Sequence, residues 1–183
     1  MVLSEKLSTL MNKYPRPSKI LDLWAGEWKY SIFCASYGNK VIAVDNEWNN
    51  NWLWPDYLLN HPNISFIKWD IRELPNEVLN DKYNIILLYN VIVFLKKKFF
   101  LEVLLPQYLD LLDKWWVISL SFFFDDDETM SKNNLLSFYS FEDFDVLDNI
   151  IIETKDEIYV EESHEPVGKH THHIWYLEIK RNF

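Results

Sequence analysis

Apolar residues in this chain fall into short runs, and polar punctuation separates them at intervals alternating between strand and helix lengths. Residues 3–13 predict a short amphipathic helix, ended by the Pro15-Arg-Pro17 breaker. Residues 19–23 read as a strand and 27–37 as a helix, with Gly38 standing where a helix is commonly stopped. A second strand over 40–45 leads into a helical stretch reaching Asn60. Strands at 64–68 and 83–89 follow, then a long helix over 96–113 with Pro106 as its kink, then a fifth strand over 117–124.

The first five strands are rich in Val, Ile and Leu and lack a polar face, the pattern of strands covered on both sides. After Asp125 the pattern changes. Residues 146–162 and 170–180 predict two long strands joined by Ser163-His-Glu-Pro-Val-Gly-Lys169, short enough for an antiparallel hairpin. The expected fold is α/β: a doubly wound, mostly parallel seven-stranded sheet with helices on both faces and a C-terminal antiparallel hairpin. No linker or repeat divides the 183 residues, and a 49% hydrophobic content suits one domain spanning 1–183.

Charge and composition narrow the partners. A net charge of −10 argues against nucleic acid as the main partner, because phosphate binding needs a basic surface. The one dense basic run, Lys96-Lys97-Lys98, reads as the solvated start of a helix. No stretch has the length and apolarity of a membrane span. The first seventeen residues lack the apolar centre of a secretion signal, and the single Cys34 agrees with a reducing compartment, so the expected location is cytoplasmic.

Glycine is scarce and tryptophan abundant. Average usage of about 7% would give about 13 glycines, yet the chain has 3, alongside 9 tryptophans. Several tryptophans stand where local chemistry asks for glycine: Trp24 and Trp28 in the turn after the first strand, and Trp115-Trp116 between a helix and a strand. Two explanations are open. A codon read as glycine in the source organism has been rendered as tryptophan, or the chain carries real indoles at drifted or engineered positions.

In open α/β sheets a ligand binds beyond the carboxyl ends of the strands, where the strand order reverses. The residues there are Asp22, Asp45, Asp70 and Asn90. Each has a bland alternative: Asp22, Asp45 and Asp70 as helix caps, Asn90 as a turn residue. Their appearance after four successive strands points instead to one site. With glycine at 24 and 28, the segment Leu21-Asp-Leu-Trp-Ala-Gly-Glu-Trp28 would be the cofactor loop of a class I S-adenosylmethionine-dependent methyltransferase. The chain resembles that family from about Pro17 to Arg181. Within it, Asn90-Val-Ile-Val-Phe-Leu95 and Leu112-Asp-Lys-Trp-Trp-Val-Ile118 are similar to the small tellurite-resistance-type methyltransferases.

The resemblance implies a Rossmann-like methyltransferase domain whose 1–17 form an N-terminal helix, 18–124 the cofactor-binding part, and 125–183 a substrate-side helix and hairpin. It implies S-adenosyl-L-methionine as cofactor and a small-molecule acceptor. Asp22 with Trp24, Ala25 and Gly26 would face the methionine part, and Asp45 the ribose hydroxyls. Asp70 and Ile71 would hold the adenine, and Asn90 would lie near the transferred methyl. No catalytic residue is assigned. A nicotinamide-dependent oxidoreductase is disfavoured, since the dinucleotide fingerprint wants its last glycine one residue later, where Lys29 stands. An impaired methyltransferase fold serving as a binding or scaffold protein is the other reading, on account of Trp24 and Trp28.

Four of the five histidines, His164, His170, His172 and His173, gather around the last hairpin. His170 and His172 share a face and His173 points away. They are open to three readings: a polar strand end, a substrate-pocket or acid–base role, or a divalent metal site; no metal ligand is assigned. Asp125-Asp-Asp-Glu128 reads as a solvated loop, or as an attractor of a cation. Phe138 and Tyr139, in the segment before the hairpin, are the aromatic candidates for substrate contact.

Overall fold

A computed structural model describes residues 3–26, 28–46, 60–164 and 168–182. One seven-stranded sheet organises them, in the order β3-β2-β1-β4-β5-β7-β6. Its strands are β1 (Lys19–Leu23), β2 (Lys40–Asp45), β3 (Ile64–Lys68), β4 (Tyr83–Tyr89), β5 (Leu112–Phe123), β6 (Ile150–His164) and β7 (Gly168–Arg181). The first five run parallel, while β7 is antiparallel to β5 and β6 antiparallel to β7. The expected fold class is therefore the observed one. The limits of β1 to β4 match the predicted strands residue for residue.

The winding reverses beside β1. From β1 the chain steps outward through β2 to β3, then returns to place β4 on the other side of β1. Right-handed crossovers travelling in opposite directions put their helices on opposite faces. Helix α1 (Leu3–Lys13) packs on α2 (Lys29–Ser36), and α2 covers β1, β2 and β3. The sheet centre is dry: Ile20, Leu21, Leu23, Ile86, Leu87, Leu88, Ile118 and Leu120 are all fully buried. That burial is why these strands carry continuous apolar runs rather than alternation.

Three differences from expectation have local causes. Helix α2 starts at Lys29, because Trp28 precedes it in the left-handed region at φ 60°. The helix predicted over 96–113 is segmented into α-helical Lys97–Phe99, a π-helical turn at Phe100–Leu104 and α-helical Leu105–Leu111. Pro106 has no N–H to give the preceding turn and its ring crowds it, so the backbone widens there rather than simply bending. Strand β5 begins earlier than predicted, and Tyr83 pairs with Leu112 while Ile85 pairs with Val117. The extra residues bulge outward around Trp115, at φ 72° and 70% exposed.

Segment 125–149 carries no long helix, only a 3-10 turn at Met130–Lys132 and the four-residue Glu142–Asp145. The helical stretch expected between Asp45 and Asn60 lies outside the described residues, as does the tip of the last hairpin. At the sheet edge, β6 carries the polar run Glu153-Thr-Lys-Asp-Glu157, with Glu153, Lys155 and Glu157 exposed. Charge along an edge strand discourages pairing with another chain.

Candidate functional site

The carboxyl ends of β3, β2, β1 and β4 lie side by side along one sheet edge and bring Asp70, Asp45, the Trp24–Gly26 turn and Asn90 into a row. The turn after β1 is tied to β2. The Trp24 and Ala25 amides both donate to the Val44 carbonyl, at 2.8 and 3.2 Å. The Gly26 amide donates to Asp45 Oδ2 at 2.8 Å. Gly26 has φ 48°, a conformation glycine adopts without strain. Asp45 is buried, and its own carbonyl accepts from the Trp69 amide, which carries the chain from β3 toward Asp70.

Asp22 sits deeper, 2% exposed, with Oδ2 accepting from Ser31 Oγ at 2.5 Å. Burial pushes its carboxyl up to about 6 against the Ser31 bond, and the neighbouring Asp45 charge adds to the rise. Asp70 caps the 3-10 turn Ile71–Glu73, accepting from the Arg72 amide at 2.9 Å and from the Arg72 guanidinium. The guanidinium bond holds its carboxyl below the ordinary range. Ile71 is buried beside it, its carbonyl accepting from Tyr108 Oη at 2.7 Å. Asn90 takes the left-handed region at φ 56°, its amide donating to the Ser121 carbonyl and its Oδ1 accepting from Ser121 Oγ.

Two cavities open along this edge. Asp70 lines one of about 660 Å³ with Arg72, Phe94 and Lys96. Asn90 lines the other, about 450 Å³, with Tyr30, Phe123, Glu162 and His172. The structure thus ties Asp45 to the turn, buries Asp22 on Ser31 close enough to feel the Asp45 charge, and sets Asp70 and Asn90 on the walls of separate cavities. The Trp24 indole is half-buried and stacks on Phe94, with ring centroids 5.8 Å apart and planes 4° from parallel. The Trp28 indole turns inward instead, 3% exposed and stacked on Phe66.

The hairpin supplies the far wall of the 450 Å³ cavity. His172 and Glu162 face it from β7 and β6, with His170 beside them. Asp127, fully buried, organises this region. It accepts from the amides of Thr129, Met130 and His173 and from His172 Nδ1. Burial opposes ionisation there, but the Met130 and Thr129 amides with His172 keep the carboxyl below its ordinary range. Asp126 bonds His173 Nδ1 and Glu128 accepts from the Thr171 amide. The acidic run thus fastens its loop to β7 through Asp126, Asp127 and Glu128, while Asp125, Asp126 and Glu128 remain exposed to solvent. His173 does point away, stacked between Phe124 and Tyr159.

Tyr139 is 3% exposed, donates to the Leu95 carbonyl and packs on Phe100 and Phe122; it lines neither cavity. Glu162 and Tyr30 escaped sequence reasoning, as did the role of Asp127 within the acidic run. The hairpin register would have found Glu162, since it pairs directly with His170; Tyr30 and Asp127 carry no local signal.

The family model for the tellurite resistance protein TehB matches residues 5–107. No curated protein matches the chain by sequence. Among solved structures, TehB from Haemophilus influenzae superposes with a TM-score of 0.71 at 16% identity, covering 97% of this chain and 62% of that one. The chain thus spans less than two thirds of that protein's length. A Burkholderia thailandensis 1,6-didemethyltoxoflavin-N1-methyltransferase, bound to 1,6-didemethyltoxoflavin and S-adenosylhomocysteine, gives 0.68 at 16% identity, covering 97% and 76%. The N-methyltransferase NodS from Bradyrhizobium japonicum, with S-adenosyl-L-homocysteine, gives 0.67 at 12%, covering 98% and 85%.

Proposed function

The chain belongs to the TehB family of tellurite resistance proteins, and from that premise we propose that it is an S-adenosylmethionine-dependent methyltransferase acting on a small molecule. The observation that carries this reading is the row of polar groups at the switch point: Asp70, Asp45, the Gly26 turn and Asn90 on successive strand ends. The donor set suits the nucleoside. Carboxylates accept strongly from a diol and an amine, and a carboxylate has about four acceptor directions, so Gly26 and a ribose hydroxyl can share Asp45.

In this reading Asp45 holds the ribose, Asp70 and Ile71 the adenine, and Asp22 with the turn the methionine end. When bound, the cofactor supplies a sulfonium methyl, an electrophile that needs no activation by the protein. The chain's own task is alignment. Asn90, locked by two bonds to Ser121, gives one wall of the acceptor cavity a fixed shape. Orienting donor and acceptor in line can contribute several kcal/mol, up to about 7–11 in favourable cases. Tyr30, pushed up to about 12 chiefly by burial, stays a neutral phenol lining the same cavity.

The location we propose is cytoplasmic; no helix of the described residues is long and apolar enough to cross a membrane. Calorimetric titration with S-adenosylmethionine and S-adenosylhomocysteine, with NAD as control, tests the reading. Binding of the first two and not the third supports it. A second reading, a fold that binds partners without catalysis, is favoured by one feature, the Trp24 indole stacked on Phe94 beside the turn. Silence with all three ligands would select it.

A further inference from the structure

We propose that Glu162, His170 and His172 form a binding site for one divalent transition-metal ion on the wall of the 450 Å³ cavity. The three residues face one another across the hairpin, with Glu162 directly opposite His170 and His172 two residues further along the same face of β7. One potential ligand atom from each lies within 4.8 Å of the other two.

The imidazole geometry is the main argument. His170 Nδ1 lies 2.8 Å from the Gly168 carbonyl oxygen, which can only accept. His172 Nδ1 lies 3.0 Å from Asp127 Oδ2, likewise an acceptor. These partners place both ring protons on Nδ1 and turn the Nε2 lone pairs toward each other, where they stand 3.2 Å apart. Two lone pairs at that distance repel unless a cation, a shared proton or a metal ion, lies between or beside them. Ligand atoms around a tetrahedral ion, at bonds of about 2.0–2.1 Å, are about 3.3 Å apart. The Nε2 pair already has that spacing.

Glu162 supplies the third ligand. Its Oε2 is 3.9 Å from His172 Nε2, and its side chain is 48% exposed, so a rotamer change can close the remaining gap. Two imidazoles and a carboxylate leave coordination positions open, the ligand set of ions such as zinc, cobalt or ferrous iron. The supports are those of a built site. Asp127 orients His172 from behind, as carboxylates orient metal-bound imidazoles, and the Phe123 ring lies 5.0 Å from the His172 ring. The open positions face the cavity that Asn90 also lines. An ion there would take an oxygen, nitrogen or sulfur donor of a small molecule in the cavity. The site rests on this geometry alone and holds whether or not the chain transfers methyl groups.

The test needs no cofactor. Protein freed of metal by a chelator is titrated with Zn²⁺ by calorimetry and with Co²⁺ by visible absorption, whose d–d bands report coordination. One equivalent is expected to bind, raising the melting temperature. Glu162→Gln should weaken binding at least about tenfold, as should His172→Gln, which keeps a donor toward Asp127. The control Glu161→Gln removes an exposed carboxylate that pairs with Lys169, and should leave affinity unchanged. An absence of stoichiometric binding overturns the proposal. So does equal affinity in Glu162→Gln and Glu161→Gln, which would mean only diffuse attraction to an acidic surface.

Discussion

Trp115→Gly is expected to stabilise the protein, although it deletes the largest side chain type. Trp115 holds φ 72° and is 70% exposed, so its indole contributes little apolar burial. A non-glycine residue in the left-handed region costs about 1–2 kcal/mol. Glycine relieves that cost but adds about 0.5–1 kcal/mol of backbone entropy lost on folding. The net gain is about 0.5–1 kcal/mol, a rise of about 1–4 °C in melting temperature for a chain of this size. Trp28 has the same backbone conformation and the opposite environment, 3% exposed and stacked on Phe66. Removing a buried tryptophan costs about 3–5 kcal/mol, so Trp28→Gly should be destabilised by about 2–4 kcal/mol after the same relief. Urea unfolding of both variants, with Trp115→Ala as control, separates the two contributions. Alanine deletes the indole without relieving φ, so it should give no gain. The reasoning fails if Trp115→Ala stabilises as much as Trp115→Gly, or if Trp115→Gly loses stability as Trp28→Gly does.

Asp22→Asn should stabilise the protein above about pH 6 and not below about pH 4. The folded protein keeps the Asp22 proton up to about 6, whereas the unfolded chain releases it near 3.8. The carboxyl's contribution is thus present at low pH and lost as pH rises through that window, by up to about 3 kcal/mol; urea midpoints at two pH values measure it. Asp45→Asn keeps an acceptor for the Gly26 amide but loses the charge, and should weaken S-adenosylmethionine binding about tenfold or more by calorimetry. Trp24→Gly should tighten that binding by opening the turn beside Phe94, and unchanged affinity would refute the steric account. In mass spectra of the native polypeptide, peptides covering Trp24, Trp28 and Trp115 are expected to be lighter by one tryptophan-to-glycine difference each. Intact tryptophan at these positions would exclude a recoded codon.

The sheet was legible because its central strands are buried on both faces, so their limits are set by where apolar runs stop: β1 to β4 could be read directly. The four strand-end residues followed from that reading and the reversal of strand order. What escaped depends on backbone detail or distant partners. The π-helical turn before Pro106 is a way of absorbing a missing N–H, and hydrophobic spacing does not choose it over a simple kink. Asp127 looked like one of four solvated acids. Its role arises because the loop folds back on β7, 45 residues further along the chain, where His172 and the His173 amide meet it. The metal-binding geometry was half visible: the spacing of His170 and His172 puts them on one face, but Glu162 enters only through the hairpin register.

The tryptophans join sequence and structure in a further way. Among the described residues, four that are not glycine have φ in the left-handed region, and three of them are Trp24, Trp28 and Trp115. The fourth, Asn90, belongs to a type whose short polar side chain tolerates that conformation. All three glycines of the chain are left-handed as well. Indole has no chemistry that favours positive φ, and a bulky side chain there is strained whatever surrounds it. The environments of the three differ completely, with Trp28 buried, Trp24 half-buried and Trp115 in solvent. Packing therefore cannot be what they have in common; backbone conformation is. Three tryptophans that share a backbone conformation and not an environment are what a glycine codon rendered as tryptophan would produce, and mass spectra of the native polypeptide decide it. Trp69, Trp116 and Trp175 are absent from the left-handed set, so backbone conformation makes no case for glycine at those three.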